Sequence, residues 1–409
     1  MRRGSIMTIL LTMWLCATSL AQEQQNGICF HDNKPWKEVL ELAQKENKYI
    51  FMDCYTSWCG PCKALAKEVF SRADVGAYFN PRFVNVKYDM EKGEGKMLYA
   101  KYKSHIVGFP TLLLIDKDGS VVHQFAGFQK PEVLIAGTKN ACEGKSLFWL
   151  AKQYEQGNRS LDFLKDYIEG LNAAFLRDSA VRVAHAYLNS INPSDLDKED
   201  VWQIMGPYVT EVNTPAFDYL VMNVNRYQRK LYRDRLAINR QLEYSIEKEL
   251  RACLSLRPKQ KGEIPTLCVD TLYMAKLVNY LERIGSNSKD AYQSKLYIHK
   301  LLLRGSYKEV WQALLLCRDM RITGYYSTTI HDYIRYLMQV HHDKQAWRVY
   351  LRKLEEMQAD AREYNYHALE TMALLYQRLG KQKQANELMK KYLEIDEEKR
   401  KEFGKLLHK

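Results

Sequence analysis

Two cysteines separated by two residues are the side chains in this sequence best placed to do chemistry. Cys59 and Cys62 lie in the stretch Ser57–Lys63, "SWCGPCK". A C-x-x-C pair can hold a metal, close a structural disulfide or carry electrons. A zinc site needs four ligands, and the sequence has neither a second C-x-x-C nor a histidine at ligand spacing, so we expect no metal. A disulfide across a two-residue gap makes a strained, reducible ring, which favours electron transfer over a structural role.

The position of the pair at the start of a predicted helix also favours redox chemistry. Tyr49–Tyr55 is a short apolar run typical of a buried strand, and Pro61–Phe70 has the spacing of a helix. A Cys59 thiolate at the helix N-terminus would face the positive end of the helix dipole, which lowers its pKa. Cys62, one turn along and expected to be less exposed, can attack a mixed disulfide on Cys59 and release the reduced partner.

Residues 22–145 alternate between strand and helix patterns, which predicts an α/β domain. The predicted elements are, in order, helix Lys34–Asn47, strand Tyr49–Tyr55, helix Pro61–Phe70, strand Phe83–Tyr88, helix Gly95–Tyr102, strand Thr111–Ile115, strand Val121–Phe125 and helix Lys130–Cys142. The run Asp116–Gly119 between the last two strands predicts a hairpin turn.

The segment from about Lys34 to Cys142 resembles the thioredoxin family. Its stretch Trp58–Lys63 is identical to the thioredoxin active-site motif. The segments "KENKYIFMDCYTSWCGPCK" and "EVFSRADVGAYFN" are most similar to exported bacterial members, such as the C-terminal thioredoxin domain of the periplasmic transmembrane disulfide reductase. The resemblance implies a thioredoxin fold, in which helices flank a central mixed sheet, and an enzyme of the protein-disulfide reductase type.

The resemblance also assigns the proton and electron chemistry. Cys59 would be the attacking thiol and Cys62 the resolving thiol, and the two would form the redox disulfide. Asp53 would be a buried carboxyl with a raised pKa that takes the proton from Cys62. Lys87 falls where the family has a lysine beside that carboxyl, so a structural ion pair between Asp53 and Lys87 is the alternative.

The residues around the cysteines match the family as well. Phe109-Pro110-Thr111 corresponds to the cis-proline loop that faces the cysteines, and Pro110 would shape the groove that pairs with a client's backbone. Trp58 would shield the thiol pair, and Gly127 corresponds to a glycine near the binding surface. A turn proline and a packing tryptophan are the plainer alternatives. The remaining supporting residues belong to the motif itself: Gly60, Pro61 and Lys63.

The Gly-Pro dipeptide between the cysteines predicts the direction of electron flow. It is the reductive thioredoxin type, with a potential of about -270 mV against about -120 mV for a strong periplasmic oxidase. The dipeptide lacks the histidine that oxidases and isomerases of this superfamily have. We therefore expect a reductant or reshuffler of disulfides in client proteins, which needs no bound cofactor but does need a membrane-linked electron donor.

The first 21 residues predict a secretory signal peptide. Arg2 and Arg3 precede the apolar run Ile6–Leu20, and small residues lie at Ser19 and Ala21, which predicts cleavage after Ala21. A membrane anchor is the alternative, but about 15 apolar residues fall short of the ~20 of a spanning helix. We expect export, to the periplasm of a Gram-negative bacterium or outside the cell, without stable membrane insertion after cleavage. The net charge of +12 is spread along the chain, so we expect no nucleic-acid partner.

Residues 146–409 show helical spacing almost throughout and predict an all-α domain. No proline follows Pro265, which favours a run of long helices. Around 366–396, four residues have the spacing of a tetratricopeptide repeat: Ala373, Tyr376, Gly380 and Ala385. An irregular helical domain fits the pattern equally well.

The other cysteines have less definite assignments. Cys54 and Cys317 lie in apolar segments and are expected to be buried. An exported protein can hold further disulfides, and the sequence leaves the pairing of four cysteines open: Cys29, Cys142, Cys253 and Cys268.

Two hypotheses of function follow from these patterns. The first is an exported thiol-disulfide oxidoreductase that acts on client proteins and whose helical domain selects partners. The second is a helical-repeat binding or assembly factor whose thioredoxin-like domain serves one dedicated partner.

Overall fold

The computed structural model describes residues 27–230, 235–256, 263–320, 322, 327–359 and 365–407. The predicted signal peptide, residues 1–21, lies outside these ranges. The chain divides into two compact units, and the boundary between them falls between Tyr208 and Val209 in the sequence. In the ranges given above, no helix is both long and apolar enough to cross a membrane.

The first unit contains a five-stranded mixed sheet. Its strands are β1 (His31–Asp32), β2 (Tyr49–Tyr55), β3 (Phe83–Asp89), β4 (Thr111–Ile115) and β5 (Val121–Ala126). The strand order is β1-β3-β2-β4-β5. β3 pairs in parallel with β1 and β2, whereas β4 is antiparallel to both β2 and β5. This topology confirms the predicted α/β thioredoxin fold, and the short strand β1 is an addition to the predicted elements.

Helices cover both faces of the sheet. They are α1 (Trp36–Glu46), α2 (Gly60–Leu65), α3 (Ala73–Phe79), α4 (Gly93–Tyr102) and α5 (Pro131–Asn140). Because side chains alternate across a strand, Phe51 and Met52 of β2 point into different cores. Met52 packs in the core on the side of α1 and α4, and Phe51 packs on the side of α2, α3 and α5. The two apolar layers hold the carboxyl end of β2 in place, and the C-x-x-C pair follows that end.

Four further helices complete the first unit. They are α6 (Leu147–Glu155), α7 (Leu161–Ala173), α8 (Arg177–Leu188) and α9 (Glu199–Met205). The backbone N–H of Leu147 donates to Nδ1 of His123 in β5 at 3.0 Å, and Ala173 packs against the core that contains Phe125. The start of the predicted helical region is therefore in contact with the edge strand of the sheet. The domain boundary at residue 145 stays a prediction.

The described part of the second unit is helical, as the sequence predicts. Its helices are α10 (Pro215–Met222), α11 (Val224–Lys230), α12 (Arg235–Cys253), α13 (Thr271–Arg283), α14 (Lys289–Leu303), α15 (Tyr307–Asp319), α16 (Ser327–Val340), α17 (Lys344–Ala359), α18 (His367–Arg378) and α19 (Gln382–Leu407). Helices α14 to α18 contribute to one apolar core. Gly380 has a φ of +79° in the turn between α18 and α19, and Ala373 and Ala385 are buried. A true repeat array stays a prediction.

Candidate active site

Cys59 caps the N-terminus of α2. The turn after β2 is closed by a bond from the Cys59 N–H to the carbonyl of Thr56, at 3.2 Å. Sγ of Cys59 accepts the backbone N–H of Cys62 at 3.1 Å, and Pro61 lies in the first turn of the helix. A sulfur that accepts a free N–H at a helix start is stabilised as a thiolate once the disulfide opens.

The two cysteines form a disulfide that is almost fully buried. Cys59 and Cys62 are joined by an S–S bond of 2.03 Å. Cys59 is 3% exposed and Cys62 is 6% exposed. The expectation that Cys62 is the less exposed of the two is therefore wrong for the disulfide state, in which both side chains are buried.

Asp53 lies inside β2 as a buried carboxyl. It is 5% exposed, and its Oδ1 is buried without a hydrogen-bond partner. It pairs in register with Lys87 of β3, whose Nζ forms an ion pair with Asp32 at 3.2 Å. Burial raises the pKa of Asp53 to about 7. The charge of Lys87 partly offsets this rise, and the charge of Asp32 adds to it. A carboxyl with such a pKa can accept and release a proton near neutral pH.

The loop before β4 lies at the same end of the sheet. The Phe109-Pro110 peptide bond is cis, and Thr111 pairs in register with Cys54 at the end of β2. The ring of Phe109 lies 6.3 Å from the ring of Trp58, edge to face. The structure thus brings together the predicted proline loop and the residue that precedes Cys59.

Trp58 and the motif residues other than the two cysteines are open to solvent. Trp58 is 65% exposed, and its Nε1–H donates to Glu91 at 2.9 Å. Gly60 and Lys63 are exposed as well. Trp58 is therefore not a core residue and presents an aromatic surface beside the disulfide.

Sequence reasoning missed three residues in this part of the molecule. Glu91 fixes the indole of Trp58, and Tyr99 lies 6.2 Å from Phe109, ring to ring. A third, Phe175, lies against Gly127, where an added Cβ would be 2.3 Å from the Phe175 ring. No local pattern marks these side chains, because each contact joins segments that are distant in the sequence.

The other cysteines show no second disulfide among the residues that the structure describes. Cys142, Cys253 and Cys268 are thiols. Burial raises the pKa of Cys253 to about 12, and a hydrogen bond with Cys268 adds to this rise, so these two thiols are in contact. Within the same residues, no group of three or more side chains could hold a metal ion.

Comparisons with known proteins agree with this geometry. Residues 36–141 match the model of the thioredoxin-like domain family. The chain is 24% identical to a protein disulfide-isomerase of Hordeum vulgare over 148 residues, which are 36% of this chain and 25% of that protein. It is 25% identical to the thiol:disulfide interchange protein DsbD of Photorhabdus laumondii over 110 residues, which are 27% of this chain and 19% of that protein. The chain thus spans a quarter or less of these relatives.

Solved structures include similar chains. A solution structure of a candidate disulphide-isomerase from Bacteroides thetaiotaomicron is 44% identical, and the match covers 29% of this chain and 95% of that one, with a TM-score of 0.26. The C-terminal domain of Neisseria meningitidis DsbD in its oxidised form is 24% identical, with a TM-score of 0.24, and the match covers 27% of this chain and 97% of that one.

Proposed function

We propose that this chain, whose residues 36–141 belong to the thioredoxin-like domain family, is a thiol-disulfide oxidoreductase that reduces or reshuffles disulfides in client proteins. The observation that carries the proposal is the buried Cys59–Cys62 disulfide at the N-terminus of α2. A buried carboxyl, Asp53, precedes it on β2, and a cis-proline loop lies alongside.

The reduced pair acts in two exchange steps. The Cys59 thiolate attacks one sulfur of a client disulfide, so that a Cys59–client bond forms and the other client sulfur leaves as a thiolate. Asp53 then accepts the Cys62 proton, and the Cys62 thiolate attacks Sγ of Cys59 and releases the second client sulfur. The client gains two electrons, and the enzyme ends as the Cys59–Cys62 disulfide.

The compartment and the electron source are part of the proposal. The predicted signal peptide supports export, to the periplasm or outside the cell. There the Gly-Pro type of pair needs a reductant that reopens the disulfide after each turnover. The donor that we propose is a membrane-linked dithiol, which would pass two electrons to Cys59–Cys62.

Reduction of insulin by dithiothreitol tests the activity. We expect the full chain to accelerate the reduction, Cys59→Ser to abolish the acceleration, and Cys142→Ser to leave it unchanged. Cys142 is a matched control because it is an exposed thiol of the same unit. Absence of activity in the unsubstituted chain, or full activity in Cys59→Ser, would overturn the proposal.

The second unit supports an alternative function. It has an apolar core of its own, so it can be a binding module that the redox pair serves, with one dedicated partner. Cys62→Ser distinguishes the two functions, because it stops the second step and keeps clients bound to Cys59. Many trapped proteins would favour a general reductase with partner selection by the helices, and one dominant protein would favour the dedicated factor.

A further inference from the structure

The ring of Phe175 lies directly against Gly127. Gly127 has a φ of +73°, and an added Cβ there would be 2.3 Å from Cζ of Phe175 and 2.7 Å from Cε2. The edge of the ring therefore occupies the space that a side chain at position 127 would fill. Phe175 comes from the end of α7, outside the residues that match the thioredoxin-like domain.

Gly127 connects this ring to the proline loop. The backbone N–H of Gly127 donates to the carbonyl of Pro110 at 2.8 Å. The neighbouring Phe109 in turn contacts Trp58, which precedes Cys59. A continuous row of contacts thus runs from the residue beside the disulfide to Phe175.

The backbone at Phe175 is in a conformation that favours glycine. Its φ is +58°. The N–H of Phe175 donates to the carbonyl of Asn172 at 3.0 Å, and the N–H of Leu176 donates to that of Leu171 at 2.8 Å. These two bonds make the helix ending whose left-handed position is usually glycine. A bulky residue held there is uncommon and indicates a use for its side chain.

The ring also remains open to solvent on one side. Phe175 is 52% exposed, so only one edge is used in the contact with Gly127. The guanidinium of Arg177 lies 6.0 Å from the centroid of the Phe175 ring, so a cationic group lies beside this exposed aromatic ring. An exposed aromatic ring beside the backbone at Gly127 fits an apolar side chain of an extended peptide.

We propose that Phe175 is a client-binding residue that extends the groove of the Cys59–Cys62 site. Its occupant is an extended client segment that carries the disulfide and places an apolar side chain on the Phe175 ring. This proposal rests on the proposed function. It adds a specificity-determining residue from the helical segment that follows the thioredoxin-like residues 36–141. We assign the Phe175 ring to client binding because a continuous series of contacts connects it to Trp58, the residue beside the disulfide.

The variant Phe175→Gly separates a binding role from a structural one. It removes the ring but supplies the residue that the left-handed backbone prefers. With dithiothreitol regenerating the reduced pair, we would measure kcat/KM of the full chain for two disulfide-bonded peptides, one with leucines and one with serines flanking the cysteines. Oxidised glutathione, which has no apolar side chain beside its cysteines, reports the intrinsic exchange rate. Phe175→Leu is the conservative variant, and Phe148→Ala is the matched control, because Phe148 is an exposed aromatic of α6 whose ring contacts His105.

We expect Phe175→Gly to lose the preference for the leucine peptide and to keep the intrinsic rate of disulfide exchange. Phe175→Gly should lower the leucine-over-serine preference by about 10-fold, the effect of one apolar contact. Turnover of oxidised glutathione should stay unchanged, Phe175→Leu should restore the preference, and Phe148→Ala should not alter it. An unchanged preference in Phe175→Gly, an equal loss with oxidised glutathione, or faster turnover of the leucine peptide would overturn the proposal. Failure of the proposed function is a distinct outcome, because the unsubstituted chain would then turn over none of the three substrates.

Discussion

Asp53 is the residue whose ionisation links the chemistry to the stability of the fold. It sits in the middle strand of the sheet, and burial raises its pKa to about 7 from a usual value of 3.8. A carboxyl whose folded-state pKa is raised binds its proton more tightly in the folded protein than in the unfolded one. Its stabilising contribution is therefore full below the unfolded pKa and is lost as the pH rises through about 7.

Asp53→Asn removes this ionisation and tests both roles of the carboxyl. The rise in the pKa from 3.8 to about 7 corresponds to about 4 kcal/mol, so the variant should exceed the unsubstituted protein in unfolding free energy by up to that amount at pH 8. The gain should shrink as the pH falls towards 4. In the same variant, release of the mixed disulfide by Cys62 should slow by about 100-fold at pH 7, because the general base is gone. Urea unfolding at several pH values, with single-turnover kinetics, measures both quantities.

A parallel pH dependence of stability in the two proteins would contradict the raised pKa. An unchanged release rate would instead favour a purely structural role for Asp53, although Lys87 pairs with Asp32 and not with Asp53 in the structure.

The residues of the site differ in how far the sequence can predict them. Cys59 and Cys62 are found from local spacing and from a motif whose chemistry is specific, and Asp53 is found from the resemblance to the thioredoxin family. Phe175 is not, because its importance depends on which residue lies opposite it after folding. An exposed aromatic in a helical segment has no distinguishing pattern until Gly127 is seen beneath it.

The strands also differ in how far the sequence can predict them. β2 and β4 have the predicted bounds because both are largely apolar runs buried on two faces. β1 was missed because it has only two residues, both exposed, and forms only by pairing with β3. Sequence periodicity predicts an element that buries its own apolar face, and it misses one whose order comes from its neighbour.

His123 is the side chain that joins β5 to α6. It is 4% exposed, and its Nδ1 accepts the Leu147 N–H at 3.0 Å. Burial lowers the pKa of His123 to about 4 from 6.5. The folded protein therefore holds His123 neutral, and this contribution to stability is present above pH 6.5 and is lost as the pH falls towards 4.

His123→Gln tests this junction, since glutamine keeps an oxygen acceptor and does not titrate. Between pH 7 and pH 5 the unsubstituted protein should lose more unfolding free energy than the variant, with a difference of up to about 2 kcal/mol. Burial also lowers the pKa of His331 in the second unit to about 4. Both proteins keep His331, so the difference in free-energy loss between the unsubstituted protein and His123→Gln reports His123 alone. Equal losses in urea titrations would show that His123 does not carry the acid sensitivity.

At the scale of the whole molecule, the redox domain and the first helices after it share one compact unit. Leu147 and Leu150 are both 3% exposed, although they lie beyond the residues that match the thioredoxin-like domain. Phe175, which we propose to contact clients, belongs to the same unit. The first helices after residue 145 thus pack in the same unit as the active site.

Truncation tests where the cooperative unit ends. A chain of residues 27–208 should unfold in a single transition, whereas a chain of residues 27–145 should be less stable by about 3 to 6 kcal/mol, the contribution of two buried leucines. Urea unfolding followed by circular dichroism compares them. Equal stability of the two chains would show that α6 and α7 are not needed by the sheet.

The reduction potential of the Cys59–Cys62 pair tests the central claim most directly. It is measured by equilibrating the full chain in dithiothreitol redox buffers and quantifying the oxidised pair by alkylation and mass spectrometry. A dithiol of the reductive Gly-Pro type predicts a value near about -270 mV. A value above about -150 mV, in the range of strong oxidants, would contradict a reductase of client disulfides.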